Sequence, residues 1–258
     1  MPPRRLDEIA GPIRSATRAV GFASVTLGML GVNEAHAALV PARRAELLRG
    51  YRRTWIRSVM RIFGVDLRVL GQPSYESARG RLVVANHRSG LDIAVLFSLF
   101  DGVILSRGDL AKWPLIGFGA QRIGTLFVDR AQGASRAGAI RAMRRRLGEG
   151  GTVIVFPEGT TFSDDEVRPF HAGAFAAARG LDVHVVPVGF AYETGAEFGD
   201  ETFGAHLARV SRRPTTRVSV SVGEPRTLGS GQAATHATAL RDEVQQLVRA
   251  ARAAHSGR

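Results

Sequence analysis

The chain has 258 residues, 45% of them hydrophobic, and it contains no cysteine. This length and composition suffice for a buried core, and they exclude disordered and fibrous proteins. The lack of cysteine excludes disulfides, a thiol nucleophile and cysteine-based metal sites. Any chemistry must therefore depend on His, Asp, Glu, Ser, Thr or Arg.

The chain is also strongly basic. Lys and Arg number 35 against 23 Asp and Glu, so the formal net charge is +12, and every cation except Lys112 is an arginine. Because a guanidinium group forms paired hydrogen bonds with phosphate or carboxylate, this composition predicts an anionic partner such as a membrane surface. The sequence carries no recognisable nucleic-acid-binding motif, so we do not expect nucleic acid as the partner.

Residues 1–64 are predicted to form a basic, membrane-associated helical region. Within it, an uncharged stretch over 19–32 follows a basic lead. This arrangement is typical of a helix in the membrane interface, flanked by arginines that reach lipid phosphates. Three alternatives remain open: a secretory signal that ends near Ala37, a full membrane span, and a buried helix of a soluble domain.

A second helix is predicted over 43–63, where apolar residues recur every three or four positions and arginines fill most of the others. The apolar positions are Leu47, Leu48, Tyr51, Trp55, Val59 and Ile62. The pattern is typical either of a helix on a membrane surface or of a core stripe beneath a solvated basic face.

From residue 65 onwards, apolar runs of strand length alternate with helical patterns. The predicted strands are 65–70, 82–85, 124–128, 152–156, 183–188 and 217–222, and the predicted helices are 91–100, 135–148, 171–180 and 236–252. This alternation predicts an α/β fold with a mixed, mainly parallel sheet flanked by helices. We expect an α/β domain over 65–228, followed by a C-terminal linker and helix over 229–258.

A histidine and an aspartate, His87 and Asp92, lie five positions apart directly after the predicted strand 82–85. Open α/β sheets bind their ligands at such strand ends, and a carboxylate can fix the tautomer of an imidazole that acts as a base. A neutral histidine can accept a proton from a substrate hydroxyl near neutral pH. Taken alone, however, this spacing favours a structural histidine beside a helix-capping aspartate.

Three further clusters lie at the ends of predicted strands. They are Phe-Val-Asp-Arg at 127–130, Phe-Pro-Glu-Gly-Thr-Thr at 156–161 and Val-Pro-Val-Gly-Phe at 186–190. If the strands are adjacent and aligned, these clusters converge with His87 on one crevice. The remaining histidines in this region show no partner pattern and are expected at surface or core positions: His171, His184, His206 and His236.

Four ordered motifs, NHRSGLD, GTLFVDR, FPEGT and VPVGF, resemble the four blocks of the 1-acyl-sn-glycerol-3-phosphate acyltransferases, or glycerolipid acyltransferases. The resemblance covers roughly residues 65–225, and four ordered blocks are far more specific than any one of them. It implies the glycerolipid acyltransferase fold. It also implies transfer of a fatty acyl group from acyl-CoA or acyl carrier protein to a lysolipid hydroxyl, without a metal or prosthetic group.

The resemblance also implies roles for individual residues. His87 matches the general base that deprotonates the acceptor hydroxyl, and Asp92 matches the carboxylate that orients this base. Arg130, Glu158 and Gly159 match positions that bind the acceptor, with Thr160 beside them. Among these residues, the guanidinium group of Arg130 is the one suited to a phosphate.

Two positions depart from the family's pattern. Many members have an arginine where this chain has Thr161, and a basic residue is common where it has His171. The loss of these two cations weakens the prediction of a phosphate-bearing acceptor but leaves acyl transfer intact. Arg168 is a candidate replacement for the missing charge, and a different lysolipid acceptor is the alternative.

The sequence therefore predicts a membrane-associated O-acyltransferase of phospholipid biosynthesis, acting on 1-acyl-glycerol-3-phosphate to give phosphatidate. One alternative is the same transfer to another lysolipid such as lyso-ornithine lipid. Others are a thioesterase, in which water replaces the acceptor, and a non-catalytic lipid-binding protein. Because acyl-CoA and acyl carrier protein are cytoplasmic, the catalytic domain is predicted to lie on the cytoplasmic face of the cell membrane.

Overall fold

The computed structural model describes residues 4–73, 79–112, 117, 120–121, 125–129 and 132–256. Its helices are α1 (Arg4–Leu39), α2 (Arg44–Ile62), α3 (Asp92–Leu99), α4 (Gly133–Gly148), α5 (Gly173–Ala178), α6 (Phe203–Ser211) and α7 (Ala233–Ser256). Its strands are β1 (Val65–Leu70), β2 (Gly80–Ala85), β3 (Val103–Arg107), β4 (Leu126–Val128), β5 (Thr152–Val155), β6 (Val183–Tyr192), β7 (Thr216–Val222) and β8 (Arg226–Thr227). Two short 3-10 turns, Pro41–Arg43 and Gly108–Lys112, complete the described elements.

The strands form a single sheet in the order β1-β7-β6-β2-β5-β3-β4, with β8 paired to β6. Every pairing is parallel except those of β6 with β7 and with β8. The α/β fold with a mixed, mainly parallel sheet is therefore confirmed. The central strand β2 lies between β5 and β6, so the chain that leaves its carboxyl end emerges in the middle of the sheet.

Alternate residues of the central strands face two different helical layers. Val83 and Phe190 belong to a cluster that includes residues of α2 and α3, whereas Leu82 and Val185 belong to a second cluster with α4 and α5. Both faces of a mainly parallel sheet are thus covered, which is why the central strands β2, β5 and β6 read as largely continuous apolar runs. Each fully buried valine or leucine contributes about 1.5–3 kcal/mol through removal of apolar surface from water.

The C-terminal helix α7 packs against β6 and β7. The apolar face predicted from the sequence is the buried one, because Leu240, Val244, Val248 and Ala251 are fully buried. The C-terminal linker and helix were expected over 229–258, and this helix completes the core of the α/β domain.

The N-terminal helix α1 is fixed to the α/β domain by one of its arginines. The Arg18 guanidinium donates hydrogen bonds to the main-chain carbonyls of Ser211, Arg213 and Pro214, at 3.2, 2.7 and 2.8 Å. Ser211 is the last residue of α6 and the other two residues follow it, so these carbonyls lie at the C-terminal end of the helix, where unpaired carbonyl oxygens favour a cation. The first half of α1 is therefore held against the domain by charge-assisted hydrogen bonds.

Most of the apolar surface of α1 remains exposed. Its segment Ile9–Leu39 contains an 18-residue window with a mean hydropathy of 1.2, and only 6% of that window is buried. The exposed apolar side chains are Ile9, Ile13, Val20, Leu27, Val32 and Leu39. The alternative of a helix buried in a soluble core is therefore wrong, and by length and composition the segment is sufficient to cross or enter a membrane.

Candidate active site

The chain leaves β2 through Asn86, whose side chain joins this strand end to β6. The Asn86 amide nitrogen donates to the Phe190 carbonyl at 3.3 Å, and the Phe190 amide donates to Asn86 Oδ1 at 2.7 Å. This reciprocal pair continues the ladder for one residue after β2 ends at Ala85. It fixes the direction in which His87 leaves the sheet.

His87 and Asp92 form a hydrogen-bonded pair at this strand end. His87 Nδ1 lies 2.8 Å from Asp92 Oδ2. Because a carboxylate oxygen only accepts, Nδ1 carries the proton, and in the neutral ring Nε2 is left as the acceptor. Taken alone, the sequence spacing favoured a structural histidine. In the structure, the pair has the geometry of an imidazole oriented by a carboxylate, with Nε2 as the acceptor.

Asp92 is fully buried, and four groups donate hydrogen bonds to it. Its Oδ2 accepts from the backbone amides of Arg88 and Ser89, at 2.6 and 2.9 Å, as well as from His87. Its Oδ1 accepts from the Tyr192 hydroxyl at 2.6 Å. A buried carboxylate without partners would be strongly unfavourable, and these four donors compensate its desolvation. Asp92 also opens α3, where the helix dipole favours a negative charge.

The imidazole of His87 stacks on the ring of Phe156, with 3.9 Å between the ring centroids and 8° between their planes. Phe156 directly follows β5, which is the parallel neighbour of β2. The motif at the end of β2 therefore supplies the histidine, and the motif at the end of the neighbouring strand β5 supports one face of its ring.

The buried carboxylate of Glu158 accepts hydrogen bonds from two main-chain amides, one of which is that of His87. Its Oε2 accepts from the His87 amide at 2.7 Å, and its Oε1 accepts from the Arg168 amide at 2.9 Å. Burial raises the pKa of the Glu158 carboxyl, although these two backbone hydrogen bonds favour its charged form. In this geometry Glu158 ties the loop of His87 to the loop that follows β5.

A cavity of about 380 Å³ opens in front of His87. Gly159, Thr160 and Thr161 line one wall, and Phe198, Glu201, Thr202 and Phe203 line another. Gly159 has a φ of +85°, which strains any residue with a Cβ, so glycine is required at this turn. The predicted residues His87, Gly159 and Thr160 thus meet at one cavity, whereas Glu158 does not line it and Arg130 lies outside the described residues.

The two positions that depart from the family's pattern occupy different places. Thr161 lines the cavity in front of His87, whereas His171 lines a neighbouring cavity of about 340 Å³ together with Arg136. Arg168 forms ion pairs with Asp164 and Glu166, at 2.6 Å each, and does not line the cavity of His87. In this structure its charge is paired with these two carboxylates.

A second histidine, His206, lies behind the motif of His87, and the sequence analysis did not anticipate its role. Its Nε2 lies 2.9 Å from Ser89 Oγ and accepts from the Gly90 amide at 3.1 Å, while its Nδ1 lies 3.2 Å from Glu201 Oε1. Burial lowers the pKa of His206, which favours the neutral ring that these contacts require. Ser89 is fully buried against this ring, so it does not present a nucleophile to the cavity.

An ion-pair cluster joins the loop of His87 to the C-terminal helix. Asp165 pairs with the buried Arg88 and, at 2.6 Å, with Arg252 of α7. Burial opposes ionisation of Asp165, but the hydrogen bonds from Arg252 and Arg88 hold its pKa below the usual value. Arg252 also donates to the Tyr192 carbonyl at 2.6 Å. Residues distant in sequence therefore fix the chain around the histidine and aspartate.

A second, apolar cavity of about 150 Å³ adjoins the cavity of His87. The two share lining residues, among them Ile93, Ile104 and Phe203. Most of its other lining residues belong to α1 and α2, and they include Phe22, Met29, Leu30, Leu48 and Trp55. Trp55 Nε1 donates to Thr26 Oγ1 at 2.9 Å, which joins the two helices across this space. The apolar space therefore extends from the cavity of His87 toward the N-terminal helices.

Comparison with known proteins identifies the family and the fold to which this structure is similar. A sequence model described as Acyltransferase matches residues 66–191. In overall fold, the chain is similar to the crystal structure of the 1-acyl-sn-glycerophosphate acyltransferase from Thermotoga maritima, with a TM-score of 0.76 and 20% identity. That match covers 94% of this chain and 96% of the other. The predicted fold is therefore confirmed.

Several proteins of known activity are similar in sequence. The lyso-ornithine lipid O-acyltransferase of Pseudomonas aeruginosa is 32% identical over 220 residues, which cover 83% of each chain. The corresponding enzyme of Rhizobium meliloti is 32% identical over 193 residues, covering 67% of this chain and 65% of the other. The 1-acyl-sn-glycerol-3-phosphate acyltransferase of Neisseria meningitidis is 33% identical over 141 residues, covering 54% and 55%. The chain therefore belongs to the acyltransferase family that acts on lysolipids.

Proposed function

We propose that this protein transfers a fatty acyl group from a thioester to the free hydroxyl of lyso-ornithine lipid. The observation that carries the acyl-transfer chemistry is the His87–Asp92 pair, 2.8 Å apart, beside the cavity of about 380 Å³. The choice of acceptor is supported by the sequence relatives and by the charges around this cavity.

In the proposed reaction, His87 Nε2 accepts the proton of the acceptor hydroxyl while the hydroxyl oxygen attacks the thioester carbonyl. Asp92 stabilises the imidazolium that forms, as in the acid–base half of a catalytic triad. The tetrahedral intermediate then collapses, the carbon–sulfur bond breaks, and the leaving thiolate takes the proton from His87. The acyl group passes directly to the acceptor, and the scheme requires no covalent acyl-enzyme.

The charges of the cavity support a zwitterionic acceptor. Among the described residues that line it, the ionisable groups are His87 and Glu201, with no arginine or lysine. A phosphate monoester is bound best by arginine or lysine, whereas an ornithine head group carries one ammonium and one carboxylate. Thr161 in place of the family's arginine fits the same acceptor. The relatives from Pseudomonas aeruginosa and Rhizobium meliloti are named for activity on this lipid.

Lysophosphatidate is the second candidate acceptor, because two observations favour it. The relative from Neisseria meningitidis is a 1-acyl-sn-glycerol-3-phosphate acyltransferase. In addition, Arg130 matches the arginine that the resemblance assigns to acceptor binding. This acceptor therefore belongs in every assay as the direct competitor.

The apolar cavity and the N-terminal helices support action at a membrane. An acyl chain whose reacting end lies near His87 would find an apolar path between α1 and α2. The exposed apolar side chains of α1 would then lie in the membrane interface, with the domain on the cytoplasmic face where thioester donors occur. We propose acyl-CoA or acyl carrier protein as the donor, with no metal or prosthetic group.

The test is an acyl-transfer assay on membranes that contain the protein and one labelled acyl-CoA. Lyso-ornithine lipid, lysophosphatidate and no acceptor form three parallel arms. We expect the acylated ornithine lipid at least about tenfold faster than phosphatidate, and a loss of about 1,000-fold or more for His87→Ala. The matched control is His236→Ala, which removes a half-buried histidine of α7 that does not line this cavity.

Each other result of this assay has a definite meaning. Product with lysophosphatidate alone would show that lysophosphatidate is the acceptor and would leave the proposed mechanism unchanged. Release of free fatty acid at the full rate without an acceptor would indicate a thioesterase. Unchanged transfer by His87→Ala would overturn the proposed mechanism, and no turnover in any arm would favour a lipid-binding protein.

A further inference from the structure

We infer that Tyr192 is a positioning residue of the acyl-transfer reaction, whose hydroxyl holds Asp92 in the geometry and charge state that His87 needs. The inference rests on the proposed function of His87 as the general base. Neither the four motifs nor the family resemblance assigns a role to this tyrosine.

The position of Tyr192 follows from the length of β6. This strand pairs with β2 from Val183 to Val188, and it continues for four residues beyond that pairing, alongside β7. Its last residue, Tyr192, thereby reaches past the strand end from which His87 leaves. The side chain is fully buried, and its ring stacks near that of Phe190 at 6.3 Å between centroids.

The hydroxyl makes a short contact with the carboxylate oxygen that faces away from the histidine. Tyr192 Oη lies 2.6 Å from Asp92 Oδ1, and this is the one hydrogen bond to that oxygen within the described part of the chain. His87 and two backbone amides share the other oxygen. Burial and the neighbouring carboxylate raise the pKa of Tyr192 well above its usual value, so the phenol remains a donor throughout the working pH range.

The contact has a direct consequence for the base. A donor on Oδ1 withdraws negative charge from the carboxylate and so limits how strongly Oδ2 attracts the proton of the imidazolium. Without the hydroxyl, Oδ1 is a buried acceptor without a partner, and more of the negative charge is concentrated on Oδ2. The imidazolium is then stabilised, the pKa of His87 rises, and a smaller share of the enzyme has a free base at a given pH.

Other charged groups near Tyr192 stay in place when only its hydroxyl is removed. Arg88, next to His87 in the chain, forms an ion pair with Glu197. His206 contacts the hydroxyl of Ser89, and Arg252 donates to the Tyr192 carbonyl. The remaining carboxylates around these groups are Glu158, Asp165 and Glu201. Since Tyr192→Phe retains the ring and all of these groups, a change in the pH profile reports on the hydroxyl.

The experiment compares the wild-type protein with Tyr192→Phe in the acyl-transfer assay, using the acceptor that proves active, from about pH 5 to pH 9. We expect kcat to fall at least about tenfold near pH 7 with little change in KM for the acceptor. The acidic limb of kcat/KM is expected to move upward by at least about half a pH unit. The matched control is Thr216→Val, which removes a buried hydroxyl of β7 that has no partner in the described structure.

A second readout is independent of turnover. Histidine-labelled protein is titrated by NMR, and the His87 signal is assigned by its loss in His87→Asn. Tyr192→Phe should raise the measured pKa of His87. Replacement of tyrosine by 3-fluorotyrosine in a background of Tyr51→Phe and Tyr75→Phe should lower that pKa, because the more acidic phenol donates more strongly. This comparison preserves the shape of the core if Tyr192→Phe does not fold.

The outcomes separate the inference from the proposed function. An unchanged pH profile and an unchanged His87 titration in Tyr192→Phe would overturn the role of Tyr192, even with His87→Ala inactive. Loss of activity that merely follows the folded fraction, or that Thr216→Val reproduces, would also overturn it. Full activity of His87→Ala would instead refute the proposed function itself.

Discussion

Phe156 lies flat against the imidazole of His87, with the two ring centroids 3.9 Å apart and the planes 8° from parallel. The hydrogen bond to Asp92 fixes one edge of the His87 ring, and this stack fixes one face. Together they restrict rotation about the side-chain bonds, so Nε2 is held in one direction before the substrate arrives. The aromatic ring of Phe156, the residue that follows β5, therefore helps to orient the imidazole.

Phe156→Leu tests this support. Leucine keeps an apolar side chain at a half-buried site but removes the flat surface on which the imidazole rests. We expect kcat to fall about tenfold while the melting temperature falls by only a few degrees, because a volume-conserving apolar change usually costs less than about 1.5 kcal/mol. Steady-state assays and thermal unfolding measure the two effects. Equal activity of the variant and the wild-type protein would contradict the proposal.

Glu201 provides a prediction about acid stability. The largest influence on the Glu201 carboxyl is its hydrogen bonding with Arg209, and the pKa of this carboxyl is lowered from 4.5 to about 2. A lowered pKa in the folded state means that the carboxylate stabilises the fold above about pH 4.5. This contribution is lost as the pH falls from there toward 2. Glu201→Gln should thus be less stable than the wild-type protein at pH 6, and the difference should shrink progressively toward pH 3.

Urea unfolding at several pH values between about 3 and 6 measures this difference directly. Glu149→Gln, which removes an exposed carboxyl at the end of α4, is the control for the loss of charge itself. A stability difference between wild-type protein and Glu201→Gln that stays constant over the whole range would exclude the proposed coupling to Arg209.

The parts of this site that the sequence predicts are those built from neighbouring positions. His87 and Asp92 belong to one short segment after a buried strand, and parallel pairing of β2 with β5 brings Gly159 beside them. The expected convergence of strand ends follows from elementary sheet geometry. The central strands β2, β5 and β6 were predicted because both faces of the sheet are covered, which makes their apolar runs largely continuous.

The sequence did not predict the roles of residues that contact the site from distant positions in the chain. Tyr192 is 100 positions from Asp92, and the two residues are in contact because β6 continues beyond the residues that pair with β2. His206 is 117 positions from Ser89 and lies on α6, a helix of nine residues that the sequence analysis did not assign. The short strands β3 and β8 were missed for a related reason, because neighbouring strands rather than a long apolar pattern define them.

The packing of α7 on the sheet gives a prediction about the C-terminal segment. At Gly189 of β6, an added Cβ would lie 2.4 Å from the backbone of Leu247 and Val248. Gly189→Ala must therefore push α7 away from the sheet, and we expect a loss of about 1–3 kcal/mol in the free energy of unfolding. Gly229→Ala, where nothing lies within 4 Å of the added Cβ, is the control. Equal stability of the two variants would contradict this close contact.

The apolar cavity between the N-terminal helices predicts a dependence on acyl-chain length. Leu30 lines this cavity of about 150 Å³ from α1, so Leu30→Trp fills part of the space into which we propose that an acyl chain extends. Long chains then lose apolar contact or are excluded, whereas short chains end before the obstruction. The ratio of activity with a sixteen-carbon donor to activity with a ten-carbon donor should fall about tenfold. Val32→Trp, at a position of the same helix that is 54% exposed, should leave this ratio unchanged. Equal ratios for Leu30→Trp and Val32→Trp would place the acyl chain elsewhere and would show that the apolar space serves only to hold α1 and α2 together.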